Sequence, residues 1–247
     1  MIAVARADLR RMLARRGLIL TSVLVPVAIV LVLAAVLMFL HTRNAVEHPI
    51  VGGASFFSFV SIIGIISVVF GTVIGAIFGA EDVASGTLRY ILLTGFSRLR
   101  LFLTRIPVLA IVAIGVALPA FVLLLIGALI LPHAGEPSVT ASEVGRLLLS
   151  LVLTVGIYAL IAYGIGVAIR STGGAIAIAL GLNLIGISLF NLITLAVPGV
   201  KPWLLDSALT RVSDGGDTSI AIAIVALIVW PSVFLAIGLV RALRTEA

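Results

Sequence analysis

Leu18 to Leu40 reads LILTSVLVPVAIVLVLAAVLMFL, 23 residues without one Asp, Glu, Lys or Arg. An α-helix rises about 1.5 Å per residue, so this stretch can cross a hydrocarbon core of roughly 30 Å. Lipid offers no partner to backbone N–H and C=O groups, and a helix satisfies them internally. Five further uncharged stretches of 23 to 26 residues follow: Ser55 to Ala80, Ile106 to Leu131, Leu147 to Ile169, Ala175 to Val197 and Thr218 to Val240. The pattern predicts an all-α membrane protein of six transmembrane helices, with spans near 18–40, 55–80, 106–131, 147–169, 175–197 and 218–240. These spans and their loops take up nearly all of the 247 residues, so a single transmembrane domain over 1–247 is expected.

Composition agrees. The chain is 62% hydrophobic and 11% charged, against about 45–50% and about 25% in soluble domains. The net charge of +6 does not point to nucleic acid, because the basic residues lie beside the spans and report topology. The chain has no Cys, which excludes disulfides, thiolate metal sites and a thiol nucleophile. Arg15 and Arg16 precede the first span as they would in a signal peptide. At 23 residues, though, that span exceeds the usual apolar region of about 7–15, and no A-x-A-like site follows near His41 to Val46, so a retained helix is expected.

The arginines give the orientation. Arg6, Arg10, Arg11, Arg15 and Arg16 precede span one, Arg89, Arg98, Arg100 and Arg105 lie between spans two and three, and Arg170, Arg241 and Arg244 fall on the same side. That side holds 12 of the 16 basic residues; the opposite loops hold only Arg43, Arg146, Lys201 and Arg211. The positive-inside rule then predicts a multi-pass protein of the cell (cytoplasmic) membrane with both termini cytoplasmic.

Met1 to Arg16 reads as an amphipathic interfacial helix. Ile2, Ala5, Leu9, Met12 and Leu13 recur at helical spacing, with Arg6, Arg10, Arg11 and Arg15 opposite and expected to face anionic membrane lipids. Before the last span, Trp203, Leu204, Leu205, Ala208, Leu209 and Val212 predict a short outer helix on or dipping into the interface. Gly71, Gly75 and Gly79 form a small-residue stripe that permits close helix approach, within the chain or in a dimer. Pro26 and Pro119 lie inside spans one and three, where a kink is expected.

Several chemistries are missing. A P-loop needs a lysine at the phosphates, and the only lysine is Lys201, in a Pro-Gly-Val-Lys-Pro setting on the predicted outer side. No span carries Asp, Glu or His for ion coupling, and His41, His48 and His133 sit in outer loops away from any close carboxylate pair. No catalytic residue and no metal site is expected. The first and last three spans show no internal repeat, which argues against an inverted-repeat transporter. Among the polar span residues, Ser55, Ser58 and Ser61 read as interhelical bonding. Asn183 and Asn191 are divided between that role and a substrate path.

The informative loop begins Glu81-Asp82-Val83-Ala84-Ser85-Gly86-Thr87-Leu88-Arg89-Tyr90-Ile91-Leu92-Leu93-Thr94-Gly95 and continues Phe96-Ser97-Arg98. Ser85 or Thr87 is suited to cap a short helix and Gly95 to end it, with Leu88, Ile91, Leu92 and, less directly, Leu93 on its apolar face. Such a helix offers a handle to a soluble partner or, alternatively, a contact to lipid alone.

In these residues the chain resembles the ABC-2 type permeases, the membrane subunits of one class of ABC transporter. The resemblance rests on an acidic residue after span two (Glu81), Gly86-Thr87-Leu88, the Leu92-Leu93 pair and Ser97-Arg98. The motif is about 18 residues long, while the wider layout of helices matches over the whole chain. Many members carry a proline after the Leu-Leu pair, where this sequence has Gly95-Phe96. The resemblance implies an exporter in which a permease pairs with a second permease subunit, as a homodimer or heterodimer. It implies two copies of a separate ATP-binding subunit docked beneath. The 86–94 segment would be the coupling helix, with Glu81, Gly86, Thr87, Leu88, Leu92 and Arg98 at the coupling site. ATP and Mg would be bound by that partner and no cofactor by this chain. Alternatives are a non-transport membrane sensor or assembly factor, and a membrane-embedded enzyme.

Overall fold

The computed structural model describes residues 2–44, 53–87, 93, 95, 97–131, 139–186, 192–194, 196–214 and 220–244. The described residues contain helices and no strand. In chain order the helices are α1 (Ile2–Ala14), α2 (Arg16–Arg43), α3 (Gly53–Phe57), α4 (Val60–Ala84), α5 (Arg98–Ile130), α6 (Ala141–Ile169), α7 (Thr172–Gly181), α8 (Leu205–Asp214) and α9 (Ile220–Arg244). A π-helical turn at Leu182–Gly186 follows α7, and a 3-10 turn at Pro198–Trp203 precedes α8. Five helices, α2, α4, α5, α6 and α9, are long and apolar enough to cross a membrane. The all-α membrane-type fold therefore stands.

The fifth predicted span, 175–197, takes a different form among the described residues. Helix α7 runs to Gly181 and the chain unwinds into the wider π turn over Leu182–Gly186. Glycines at 181 and 186 weaken the helix where its ladder changes pitch. Residues 187–191, including Ser188 and Asn191, lie outside the described residues. The second predicted span, 55–80, is also interrupted. Its start forms α3, which buries Phe56 and Phe57, and a turn at Ser58-Phe59 leads into α4.

The helices outrun their uncharged stretches. Helix α4 continues past Ala80 to take in Glu81 and Asp82, and α5 begins at Arg98 behind a Ser97 N-cap. Helix α6 starts at Ala141, closed by a capping box in which Thr140 N–H donates to Glu143 Oε2 at 2.8 Å. Helices α2 and α5 run on through Pro26, Pro107 and Pro119.

The centre of the bundle is the packing of α4 on α6 and of α6 on α9. Small residues allow it. A Cβ on Gly75 would strike the Ala159 carbonyl, and one on Gly166 would lie 2.5 Å from the Ala76 carbonyl. Gly238 approaches the Gly164 carbonyl in the same manner, with 2.7 Å to a Cβ. The Gly71, Gly75, Gly79 stripe is thus a contact within the chain, onto Val155, Ala159 and Tyr163 of α6.

Candidate functional site

Glu81 and Asp82 close α4, and they gather most of the described ion pairs. Arg11 of α1 donates from Nη1 to Asp82 Oδ1 at 2.6 Å and from Nη2 to Glu81 Oε1 at 3.0 Å. Arg15 donates to the same Glu81 oxygen, and Arg105 of α5 donates to Asp82 Oδ2. Asp8, one helical turn before Arg11, lies 3.6 Å from Arg105 Nε. Asp82 and Arg105 are 2% and 5% exposed, so each carries a charge that only the other members of the cluster offset.

The structure adds to the expectation for α1. Arg11 and Arg15 reach inward onto the end of α4, where the carboxylates take up cations, while each keeps more than a third of its side chain exposed. Met12 and Leu9 pack into the core beside them. Burial raises the Asp8 carboxyl above its ordinary value, with the Arg105 charge acting against that rise. Burial also works against the Arg11 charge, but the hydrogen bond and charge of Asp82 outweigh it and hold the guanidinium above its usual value.

Aromatic rings floor the cluster. The Arg105 guanidinium lies 5.3 Å from the Phe78 ring centroid, within cation–π range. Tyr163 of α6 packs on Phe102 with ring centroids 5.1 Å apart and donates to the Phe102 carbonyl at 3.2 Å. One knot therefore joins α1, α4, α5 and α6.

The loop predicted to carry coupling starts from this knot. Gly86 has φ +71° and ends α4, its N–H donating to Val83 O at 3.2 Å. Gly95, φ +83°, supplies the second left-handed position. Both torsions suit glycine, which has no Cβ to clash. Thr87 Oγ1 donates to Asp82 Oδ1 at 3.2 Å, so this residue reaches back to the cluster. Leu88 and Leu92 lie outside the described residues. Leu93 is described and is 83% exposed. At the far end Arg98 Nη1 donates to Ala242 O at 2.9 Å, tying the start of α5 to the end of α9.

No family model matches this chain, and no curated protein matches it. What it does must be read from its own geometry.

The structure brings Glu81, Thr87 and Arg98 to one end of the bundle and adds Asp8, Arg11, Asp82 and Arg105 to them. Asn183 stands elsewhere, in the π turn, where its Nδ2 donates to Thr72 Oγ1 at 3.2 Å. It also lines a small cavity of about 40 Å³ bounded by Thr72, Tyr158, Leu205 and Trp230. The bond to Thr72 is an interhelical contact, the first of the two readings of Asn183. Asn191 is not among the described residues. Ser61 bonds within its own turn, donating to Ser58 O at 3.0 Å. Among the described residues, no group of three or more His, Asp or Glu is placed to hold a metal ion.

Proposed function

We propose that this chain is the transmembrane permease subunit of an ATP-driven ABC transporter, an exporter. In this reading it has six spans, with both termini cytoplasmic. It pairs with a second permease subunit and with two copies of a separate ATP-binding subunit, through the 86–94 coupling helix. The observation that carries this reading is the anchoring of the loop between α4 and α5. One end is held by Glu81 and Asp82 against Arg11, Arg15 and Arg105; the other is held by Arg98 against the last helix.

A force on a freely hinged loop is lost in loop motion. A force on this loop passes into α1, α4, α5 and α9 together, because breaking a buried ion pair by removing one partner costs about 3–5 kcal/mol. That is the mechanical requirement for ATP binding in a partner to move membrane helices. The exposed Leu93 adds an apolar contact at the loop's surface. In this scheme Glu81, Thr87 and Arg98 act as anchors and Leu88 and Leu92 as the docking face.

The test is affinity purification of the full tagged chain in mild detergent. An ATP-binding subunit is expected to copurify, and the chain stripped of it is expected to hydrolyse no ATP, since Lys201 has no P-loop around it. Failure of any ATP-binding chain to copurify, or hydrolysis by the isolated chain, would overturn the proposal.

A further inference from the structure

The ends of α6 and α9 share a groove that the ionic knot does not use. It is open at the surface, with a volume of about 950 Å³, and Arg170, Arg241 and Arg244 line it together with Ala168, Ile237 and Val240. Positions 237, 240, 241 and 244 fall on one face of α9, because they are spaced by three and four residues. Along that face the apolar pair comes first and the arginines follow, over about 10 Å from Ile237 to Arg244. Ile237 and Val240 are 52% and 48% exposed, on a helix long and apolar enough to cross a membrane. The groove is therefore apolar toward the span and cationic at its end.

Arginines beside spans set orientation, and cations at helix C-termini complement the macrodipole. Neither effect needs three guanidiniums from two helices on one groove, where like charges repel. No Asp or Glu lines the groove, and Arg170 and Arg244 join no ion pair among the described residues. The backbone at Arg170 points the same way. This residue caps α6 with φ 65°, and among the described residues it is the only non-glycine with a positive φ. Glycine takes such a position without steric conflict. An arginine held there brings a guanidinium to the groove despite the strained backbone.

We infer that this groove binds an anionic phospholipid. The phosphate lies among Arg170, Arg241 and Arg244, whose planar guanidiniums suit bidentate contact with phosphate oxygens, and an acyl chain runs back over Val240 and Ile237 toward the span. A soluble phosphate would satisfy the arginines but leave the apolar half of the groove uncovered. A zwitterionic lipid would cover that half but bring no net charge. Arg98, bonded to the Ala242 carbonyl at 2.9 Å, holds this end of α9 on α5 and braces one wall of the groove. The site rests on the membrane-type fold alone and needs no ATP-binding partner.

The test is a lipid titration of the purified full chain, stripped of lipid in dodecyl maltoside and read by native mass spectrometry. Phosphatidylglycerol should bind at least about tenfold more tightly than phosphatidylcholine, the size expected for hydrogen bonds to a charged group. Arg170→Gln combined with Arg244→Gln should remove that preference and leave phosphatidylcholine binding unchanged. Arg43→Gln, at an exposed arginine closing α2, should alter neither lipid. Arg170→Gly removes a guanidinium while relieving the left-handed backbone, so it should melt no lower than the parent and still bind phosphatidylglycerol more weakly. Glycerol phosphate, which has the phosphate without the chains, should not compete at equal concentration. Equal affinity for the two lipids, undiminished binding in both Arg170 variants, an equal loss in Arg43→Gln, or displacement by glycerol phosphate would each overturn the site.

Discussion

Helices α2 and α4 are both long and apolar, and the best apolar window of α2 is the more hydrophobic of the two. Yet only 11% of the best apolar window of α2 is buried inside the protein, against 56% for α4. In water the helix with the more hydrophobic stretch would be drawn inward. In lipid, hydrocarbon is as apolar as leucine, so hydrophobicity does not decide which helix takes the centre. Close approach and polar contacts do. Helix α4 carries Gly71, Gly75 and Gly79 against α6 and ends in the Glu81-Asp82 pair; residues 18–40 of α2 have no glycine and no charge.

The comparison can be broken at its strongest point first. Arg105→Ala leaves Asp82 buried with only the half-exposed Arg11 to offset it, and should destabilise the fold by about 3–5 kcal/mol. A thermal melt in detergent that matches the parent chain would show that the ionic knot contributes nothing to the position of α4. Gly75→Leu comes next. Its side chain meets the Ala159 backbone, which cannot move aside like a flexible side chain, so a loss of about 1–3 kcal/mol is expected. The smallest effect belongs to α2, where Leu31 is 54% exposed. Leu31→Ala should change stability by no more than about 0.5 kcal/mol. A large loss there would mean that the outer face of α2 packs against protein, and the contrast with α4 would fail.

Much of the fold was legible because apolar length is a direct physical signal. Five of the six expected spans appear as long helices on that signal, while the glycine stripe and the short helix before the last span were legible from their helical spacing. The charged knot was less legible. Glu81 and Asp82 were visible as an acidic pair, but their partners are about 23 residues away in α5 and about 70 in α1. The lone Asp8 amid five arginines was the available clue, since a helix meant only for anionic lipid has no use for it. The change to π winding at Leu182 was hidden in a run of uniformly apolar residues.

The most direct measurement of the central claim is copurification of the ATP-binding subunit with Leu88→Asp and Leu92→Asp variants, read beside transport-linked ATP turnover. Each substitution puts a carboxylate where an apolar docking contact is proposed. A buried unpaired charge costs at least several kcal/mol, and about 1.4 kcal/mol is already tenfold in affinity. The account predicts that partner binding and coupled turnover fall together while the variants still insert and express. Normal binding and coupling in both variants would contradict it, and would leave the 86–94 segment as a connector with no part in docking.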